Sequence, residues 1–492
     1  MLTPAAIALF AAVFTRPMER VSSMDPIEAQ SVYDSKAVQL VYETPLTVDY
    51  YARPYRLSPG VCELPTVSAD GLVYVFPLRK SRDKRITSTL IRDNLSRLAD
   101  PANASPGGWT MKAVSRFDCP DYDTFVVTLK ERQHVFPWMM AMSYSAIRLP
   151  DGSGTGPYEL VSWRKNHEMT FSRRVPSVNG FDTLRFLVVS DVSTQWLMFL
   201  KGEVDFLGEI SRDNWDAVVD GSGKLDPLLE AQGVKLFSYP TMDIRYIGMN
   251  MRDPVVGTNK KLRQALTAAF DFERWREFNN NRIERATGPV PPGVSGHLDT
   301  PHPYPFDLDR ARRLLAEAGY AEGIDPKTGR RLVLTLSIGR ASQDAREQGE
   351  LLASFFDRIG VKLELAFSTW GAFMSAVNKG EVQLYMMAWT GDYPDAENFL
   401  QLFYSKNASP GANHSCYASA EFDAAYERAM ATDDAAERER AWHRCQEILR
   451  EDAPWIFTHH LKAYSLVRPR VGNYIPSDFP YGSEAYLEVN EK

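Results

Sequence analysis

The sequence predicts a mainly α/β protein of two or three domains, and three observations predict it. Segments with strand and helix periodicity alternate along most of the chain. At 492 residues the chain exceeds one ordinary domain and has volume for a sizeable core in each of several. The run VQLYMMAW, Val382 to Trp389, is so apolar that it reads as a strand buried on both faces.

In chain order, Pro4 to Phe14 (PAAIALFAAVF) has the length of a signal-peptide core and is too short to span a bilayer. No Lys or Arg precedes it and no Cys follows closely to carry a lipid anchor. A secretory signal, a misplaced start and an ordinary apolar first element all fit. From Ala37 to Phe76 the pattern is a helix and then short strands, punctuated at Ser58-Pro59-Gly60 and Asp70-Gly71. Thr87 to Leu98 predicts an amphipathic helix with a hydroxyl cap, ended by Asp100-Pro101. TFVVTLKE, Thr124 to Glu131, alternates like a half-buried strand. The glycines of GSGTGPY, Gly152 to Tyr158, suit a domain crossing.

Thr183 to Ser190 is expected as a buried strand, and STQWLMFLKG as a helix ended near Gly202 and followed by another strand. Ile244 to Asn250 predicts a strand leading into KKLRQALTAAFDFERW, expected as one strong amphipathic helix. PFDLDRARRLLAEAGY predicts a further helix, with Asp307 as its cap and Gly319 as its stop. After the strand ending at Trp389, the turn Thr390-Gly391-Asp392 leaves an acidic residue where open α/β sheets carry ligand contacts, or where it caps the next helix.

Composition narrows the function. The formal net charge of -7 and pI near 5.8 leave no basic footprint, so nucleic acid is not expected as a partner. Ten Trp and 22 Tyr favour an extensive binding surface. Cys62, Cys119, Cys416 and Cys445 form no CxxC pair or zinc spacing, so no metal and no cofactor is expected. A Cys416–Cys445 disulfide and four free thiols both remain open. The chain lacks GxSxG, GxxxxGK[ST], HExxH and a GxGxxG placed after a strand, so no enzyme is expected.

Several separated segments together resemble the extracytoplasmic solute-binding proteins of peptide-type ABC importers, the group with dipeptide, oligopeptide and nickel-binding members. They are SMDPIEAQSVYDSKAVQLVYETPL, TGPYELVSW, LKGEVDF, YIGMNMRDPVVGTNKKLRQALTAAFD, ATGPVPPGVSGH, ARRLLAEAGY and AWTGDYPDAENFLQLFYS, in the family's order and over most of the chain. The resemblance implies a two-lobed periplasmic-binding-protein fold of type II with an additional small domain. Its expected boundaries are residues 1–37, 154–243 and 462–492 for lobe I, 38–153 for the small domain and 244–461 for lobe II. The small domain departs from the family after FPLR, where KSRDKRITSTLIRDNLSRL replaces a Phe-His-Asp-Gly turn and implies a shortened region. A periplasmic or extracytoplasmic monomer is implied, which captures a di- or oligopeptide by hinge closure and delivers it to permease subunits. A sensor on the same scaffold and a binder of a sugar or metal chelate are the alternatives.

The resemblance also implies site residues. Asp392 matches the acidic position that pairs with a peptide's α-ammonium group, with Tyr393 beside it. A carboxylate in a largely dry site favours a cationic ligand end. Trp389 and Trp370 match positions that wall ligand pockets. Arg340 sits where dipeptide-type members hold the ligand carboxylate, a task its planar fork suits. Some oligopeptide-type members have Arg where this chain has Val377 and Met386. Asn250 matches an Asn beside the cleft, structural first and ligand-contacting second. His459 and His460 replace a run of cleft tyrosines; adjacent strand positions face opposite ways, so one meets ligand, assigned to His460, and one meets packing.

Overall fold

The computed structural model describes residues 12–29, 31–211, 214–220, 224–409, 411–479 and 481–490, with the side chain at 344 set aside. The expected signal core lies outside the described residues up to residue 11. Its last residues, Val13 and Phe14, open the strand Val13–Met18. The chain divides into two compact units. One runs through Tyr239 and resumes at Ala463, and the other is the uninterrupted segment Pro240–Lys462.

The first unit holds two four-stranded sheets. In one, Val13–Met18 lies parallel to Thr183–Val188, followed in antiparallel order by Glu168–Arg173 and Tyr158–Arg164. Phe14, Phe171, Phe181 and Phe186 form its aromatic core, with Phe14 and Phe181 ring centroids 5.4 Å apart. Helix Val32–Val41 packs on this core through Val38 and Leu40. It begins at a capping box, in which Ser31 accepts from Asp34 N–H and Asp34 accepts from Ser31 N–H. The other sheet is antiparallel, in the order Thr66–Val67, Val73–Pro77, Thr124–Leu129, Val114–Asp121. Helix Ser88–Ala99 starts at a Thr87 cap and yields to a short 3-10 turn at Pro101–Asn103.

The glycines of GSGTG have a packing reason. Gly154 and Gly156 lie against the C-terminal end of helix Val32–Val41, and Gly156 N–H donates to Val41 O at 2.8 Å. A Cβ on Gly156 would stand 2.6 Å from the Val41 carbonyl carbon, closer than real side chains approach. Gly156→Ala is therefore expected to cost about 1–3 kcal/mol, measured as a lowered denaturant midpoint with unchanged slope. A midpoint equal to the parent's would mean that the helix end yields freely.

The second unit is built on a mixed sheet whose strands run in the order Trp455–Val467, Asp243–Met249, Leu384–Thr390, Val333–Ile338, Lys362–Phe367. Asp243–Met249 is antiparallel to both of its neighbours, whereas Val333–Ile338 is parallel to both of its own. Leu384–Thr390 is thus central, as its composition predicts. Tyr246 and Trp455 stack with centroids 3.4 Å apart and planes 3° apart. Helices Lys260–Ala269, Leu308–Glu317 and Gln343–Asp357 cover the sheet with Leu262, Leu266, Leu315 and Phe355.

The single helix expected over KKLRQALTAAFDFERW is two. Phe270 is extended, and Asp271 caps a second helix, Phe272–Phe278, by accepting from Arg274 N–H. The carboxylate of Asp271 also binds Arg358 at 2.9 Å, so the break is held from two sides. Helix Leu308–Glu317 has the predicted Asp307 cap, and Gly319 beyond it adopts φ 90°. All four cysteines are free thiols. Among the described residues no helix is long and apolar enough to cross a membrane.

Candidate functional site

Two clusters of chemistry-bearing residues lie in the second unit. The first sits at the end of the central strand. Strand Leu384–Thr390 delivers Trp389, and the chain turns at Gly391, whose N–H donates to Met242 O at 2.8 Å. A Cβ there would stand 2.7 Å from Phe399, so the turn needs the bare backbone. Asn398, fully buried, ties the two sides of this turn together. Its Oδ1 accepts from Trp389 Nε1 at 2.9 Å and from Asp392 N–H at 3.1 Å.

Asp392 is half-buried and makes no ion pair among the described residues. Burial raises the pKa of its carboxyl above the ordinary value, partly opposed by the Asn398 side chain. Tyr393, by contrast, points inward. Its hydroxyl donates to Glu397, whose other oxygen accepts from Tyr426 OH at 2.8 Å, and all three side chains are buried. That network holds a buried carboxylate with two hydroxyl donors and leaves Tyr393 no free polar group to offer.

The second cluster lines a pocket of about 460 Å³ that includes Arg340, Gln348, Trp370, Met386, Trp275 and His459. Arg340 Nη2 donates to Gln348 Oε1 at 2.9 Å from an exposed position. Trp370 opens helix Trp370–Lys379 and is 59% exposed, resting its ring near Phe373 at 5.5 Å. Met386 contributes an apolar wall where some family members carry Arg, and Val377 is in the core.

The two histidines have opposite environments. A register shift between Arg245 and Tyr246 sets Arg245 opposite His459 and Tyr246 opposite Phe457. Asp243 fastens the same strand pair by accepting from Leu461 N–H at 3.0 Å and from Arg245 Nε at 2.8 Å. His459 consequently lines the pocket. Its Nδ1 accepts from Trp275 Nε1 at 3.1 Å, which assigns the ring proton to Nε2, and burial lowers its pKa to about 3. It is a neutral donor at any physiological pH. His460, assigned to ligand contact from sequence, is fully buried and donates from Nδ1 to Asp243 O at 2.6 Å.

Asn250 has a complete set of internal partners. Its Nδ2 donates to Gly380 O at 3.0 Å and Val382 O at 2.9 Å, and its Oδ1 accepts from Arg252 N–H at 2.9 Å. The structure therefore brings Arg340 and Trp370 together in one pocket, and Trp389 and Asp392 onto Asn398. Asn250 and Tyr393 have their polar groups engaged inside the unit, and His460 is buried there with its Nδ1 on Asp243 O. Sequence reasoning did not single out Asn398 or Gln348, and it assigned His459 to packing. Asn398 gave no clear signal, since it follows the acidic Glu397 in the short helix Glu397–Leu400. Among the described residues no His, Cys, Asp and Glu group has metal-binding geometry.

Residues 56–411 match the family described as bacterial extracellular solute-binding proteins, family 5, middle region. Heme-binding protein A of Haemophilus influenzae is 26% identical over 481 residues, spanning 88% of this chain and 84% of that protein. The dipeptide-binding protein of Escherichia coli is 24% identical over 513 residues, spanning 94% and 90%. Among solved structures, HbpA2 from Haemophilus parasuis superposes with a TM-score of 0.85 at 22% identity, covering 97% of this chain and all of that one. The fold is accordingly the two-lobed, type II arrangement of periplasmic binding proteins. With almost three quarters of its length matched by one family, the chain belongs to the bacterial extracellular solute-binding proteins of family 5.

Proposed function

We propose that the chain is the peptide-binding component of an ABC importer, working outside the cytoplasmic membrane and passing its solute to permease subunits without catalysis. The observation that carries this reading is Asp392, a half-buried carboxylate with a raised pKa and no ion pair among the described residues. A peptide's α-ammonium group is a partner of suitable charge and size, because a charge-assisted hydrogen bond offsets the desolvation of both ions. The dipeptide-binding relative supports the same solute class. Arg340, with its planar guanidinium, is proposed for a ligand carboxylate, and Trp370 for apolar contact. His459 Nε2–H is a neutral donor suited to a peptide carbonyl.

Native mass spectrometry of the purified protein, beside a thermal-shift screen of di- and oligopeptides, tests this reading. A peptide at 100 times its Kd is expected to stabilise the protein by about 2.7 kcal/mol. N-acetylated versions of the same peptides are expected to do far less. Equal stabilisation by both forms would remove amine recognition, and stabilisation by other solutes alone would remove peptides.

Trp370 gives a separate expectation, since more than half of it is exposed and little of it is core. Trp370→Ala should leave unfolding free energy within about 0.5 kcal/mol of the parent. It should weaken peptide binding roughly three- to tenfold, read by calorimetry. A destabilised variant with unchanged affinity would mean that the ring serves packing.

A further inference from the structure

The first unit has a pocket of its own, of about 230 Å³, lined in part by Glu43, Arg79, Tyr42, Thr47, Tyr481 and Tyr486. That volume is far above the roughly 10–15 Å³ that one water requires. We propose that this pocket is a site for a free α-amino acid, with Glu43 receiving the ammonium group and Arg79 the carboxylate. Its described lining belongs wholly to the first unit, so the inference is independent of the peptide reading, whose residues lie in the second.

The backbone holds the two charged residues on neighbouring segments. Glu43 follows the C-terminal end of helix Val32–Val41, and Arg79 follows strand Val73–Pro77. Val61 joins them: Thr44 O accepts from Val61 N–H at 3.0 Å, and Val61 O accepts from Arg79 N–H at 2.9 Å. Arg79 Nη1 donates to Gly60 O at 3.1 Å, which orients the guanidinium, and its Nε and Nη2 make no hydrogen bond among the described residues. Tyr486 forms the C-terminal wall, stacked on Tyr50 with centroids 4.6 Å apart and planes 6° apart.

Glu43 and Arg79 are the charged lining residues among those described. Both are half-buried, and neither makes an ion pair among the described residues, with the other or with a third group. They still feel each other. Desolvation raises the pKa of the Glu43 carboxyl, opposed by the Thr155 hydroxyl and the Arg79 charge. A lone carboxylate drawn to Arg79 is repelled by Glu43, and a lone ammonium drawn to Glu43 is repelled by Arg79. A zwitterion meets attraction at both ends, and its charge-assisted hydrogen bonds offset the desolvation of all four groups. Because the two residues stand on adjoining backbone segments within each other's field, the pair suits two charges on one α-carbon better than the distant ends of a peptide.

Thermal-shift titrations at pH 7 with L-alanine, with alaninamide, which keeps only the ammonium, and with N-acetyl-L-alanine, which keeps only the carboxylate, test the site. L-Alanine should raise the melting temperature of the parent and of Asp392→Ala alike, and either analogue should need at least tenfold more for the same shift. Glu43→Gln and Arg79→Met should each need at least tenfold more L-alanine than the parent. Each removes one pole, so if one variant fails to fold without ligand the other decides. No response in the parent, an equal response to either analogue, or an undiminished response in a folded Glu43→Gln or Arg79→Met would overturn the site. A response lost in Asp392→Ala would place the binding in the second unit and overturn it too. A protein that ignores every peptide yet gives the expected L-alanine pattern would lose the peptide reading and keep this site.

Discussion

Asp392→Ala should weaken an amine-bearing peptide by at least tenfold, about 1.4 kcal/mol, and by as much as about 2–5 kcal/mol if the ammonium is fully enclosed. The effect arises from the cost that the unliganded protein already bears. Burial raises the Asp392 carboxyl pKa, so between its unfolded and folded values the folded state holds more protons than the unfolded one. Stability therefore falls as pH rises through that window, and at neutral pH the empty protein carries the charge as a penalty. A ligand ammonium relieves it. The isosteric variant Asp392→Asn should accordingly show two opposite changes at pH 7: a raised melting temperature without ligand and a lost response to peptide. Its Asn398 contact is retained through the backbone N–H, so misfolding would not mimic the pattern. A variant that binds peptide as the parent does would remove Asp392 from recognition, whatever its stability.

The second large effect is acid loss of the Pro240–Lys462 unit. His302 is half-buried and His459 buried, and desolvation lowers each pKa from the ordinary 6.5 to about 3. His414 and His460 are lowered by the same cause. Here the unfolded state binds the extra protons, so the stabilisation is complete above pH 6.5 and is lost as pH falls from 6.5 toward 3. At about 1.4 kcal/mol per unit, the first two histidines together amount to several kcal/mol on the order-of-magnitude scale. Asp392 works in the opposite direction, through a single carboxyl group. Denaturant midpoints should stay level from about pH 8 to 7 and drop steeply between about pH 6 and 4. The double variant His302→Asn, His459→Gln should begin lower and flatten the slope. An unchanged slope in that variant would assign the acid transition to other groups.

The fold was legible because its strongest signals are local. VQLYMMAW could hardly be anything but an interior strand, and Asp307 and Thr87 cap the helices that their positions announce. The helix break at Asp271 was legible too, since Asp-Phe-Glu-Arg is a capping sequence, but the apolar periodicity running through it hid the cap. Site residues were harder. Nothing in HH says which ring faces the core; a register shift beside Arg245, made by a strand more than 200 residues away, decides it. Asn398 joins Trp389 to Asp392 across a turn whose geometry depends on the missing Cβ of Gly391. Arg340 and Trp370 were found by resemblance, and Gln348, which orients Arg340, carries no signal of its own.

The order of the two units along the chain has a consequence for biosynthesis. The first unit stays incomplete until its last segment arrives: Leu466–Val467 pairs with Phe206–Leu207, Arg470 reaches Asp205 at 2.6 Å, and Glu484 reaches Arg16. Between its two parts lie roughly 220 residues, which a ribosome adds in roughly 10–45 s. The second unit has no such wait, because it is contiguous and its ends meet where Thr241 N–H donates to Leu461 O at 2.9 Å. Vectorial synthesis thus releases the later-encoded unit as the earlier one to be complete, while Phe206 and Asp205 stand unpaired on the nascent chain. That interval is a window in which a holding chaperone can act on the first unit before it closes.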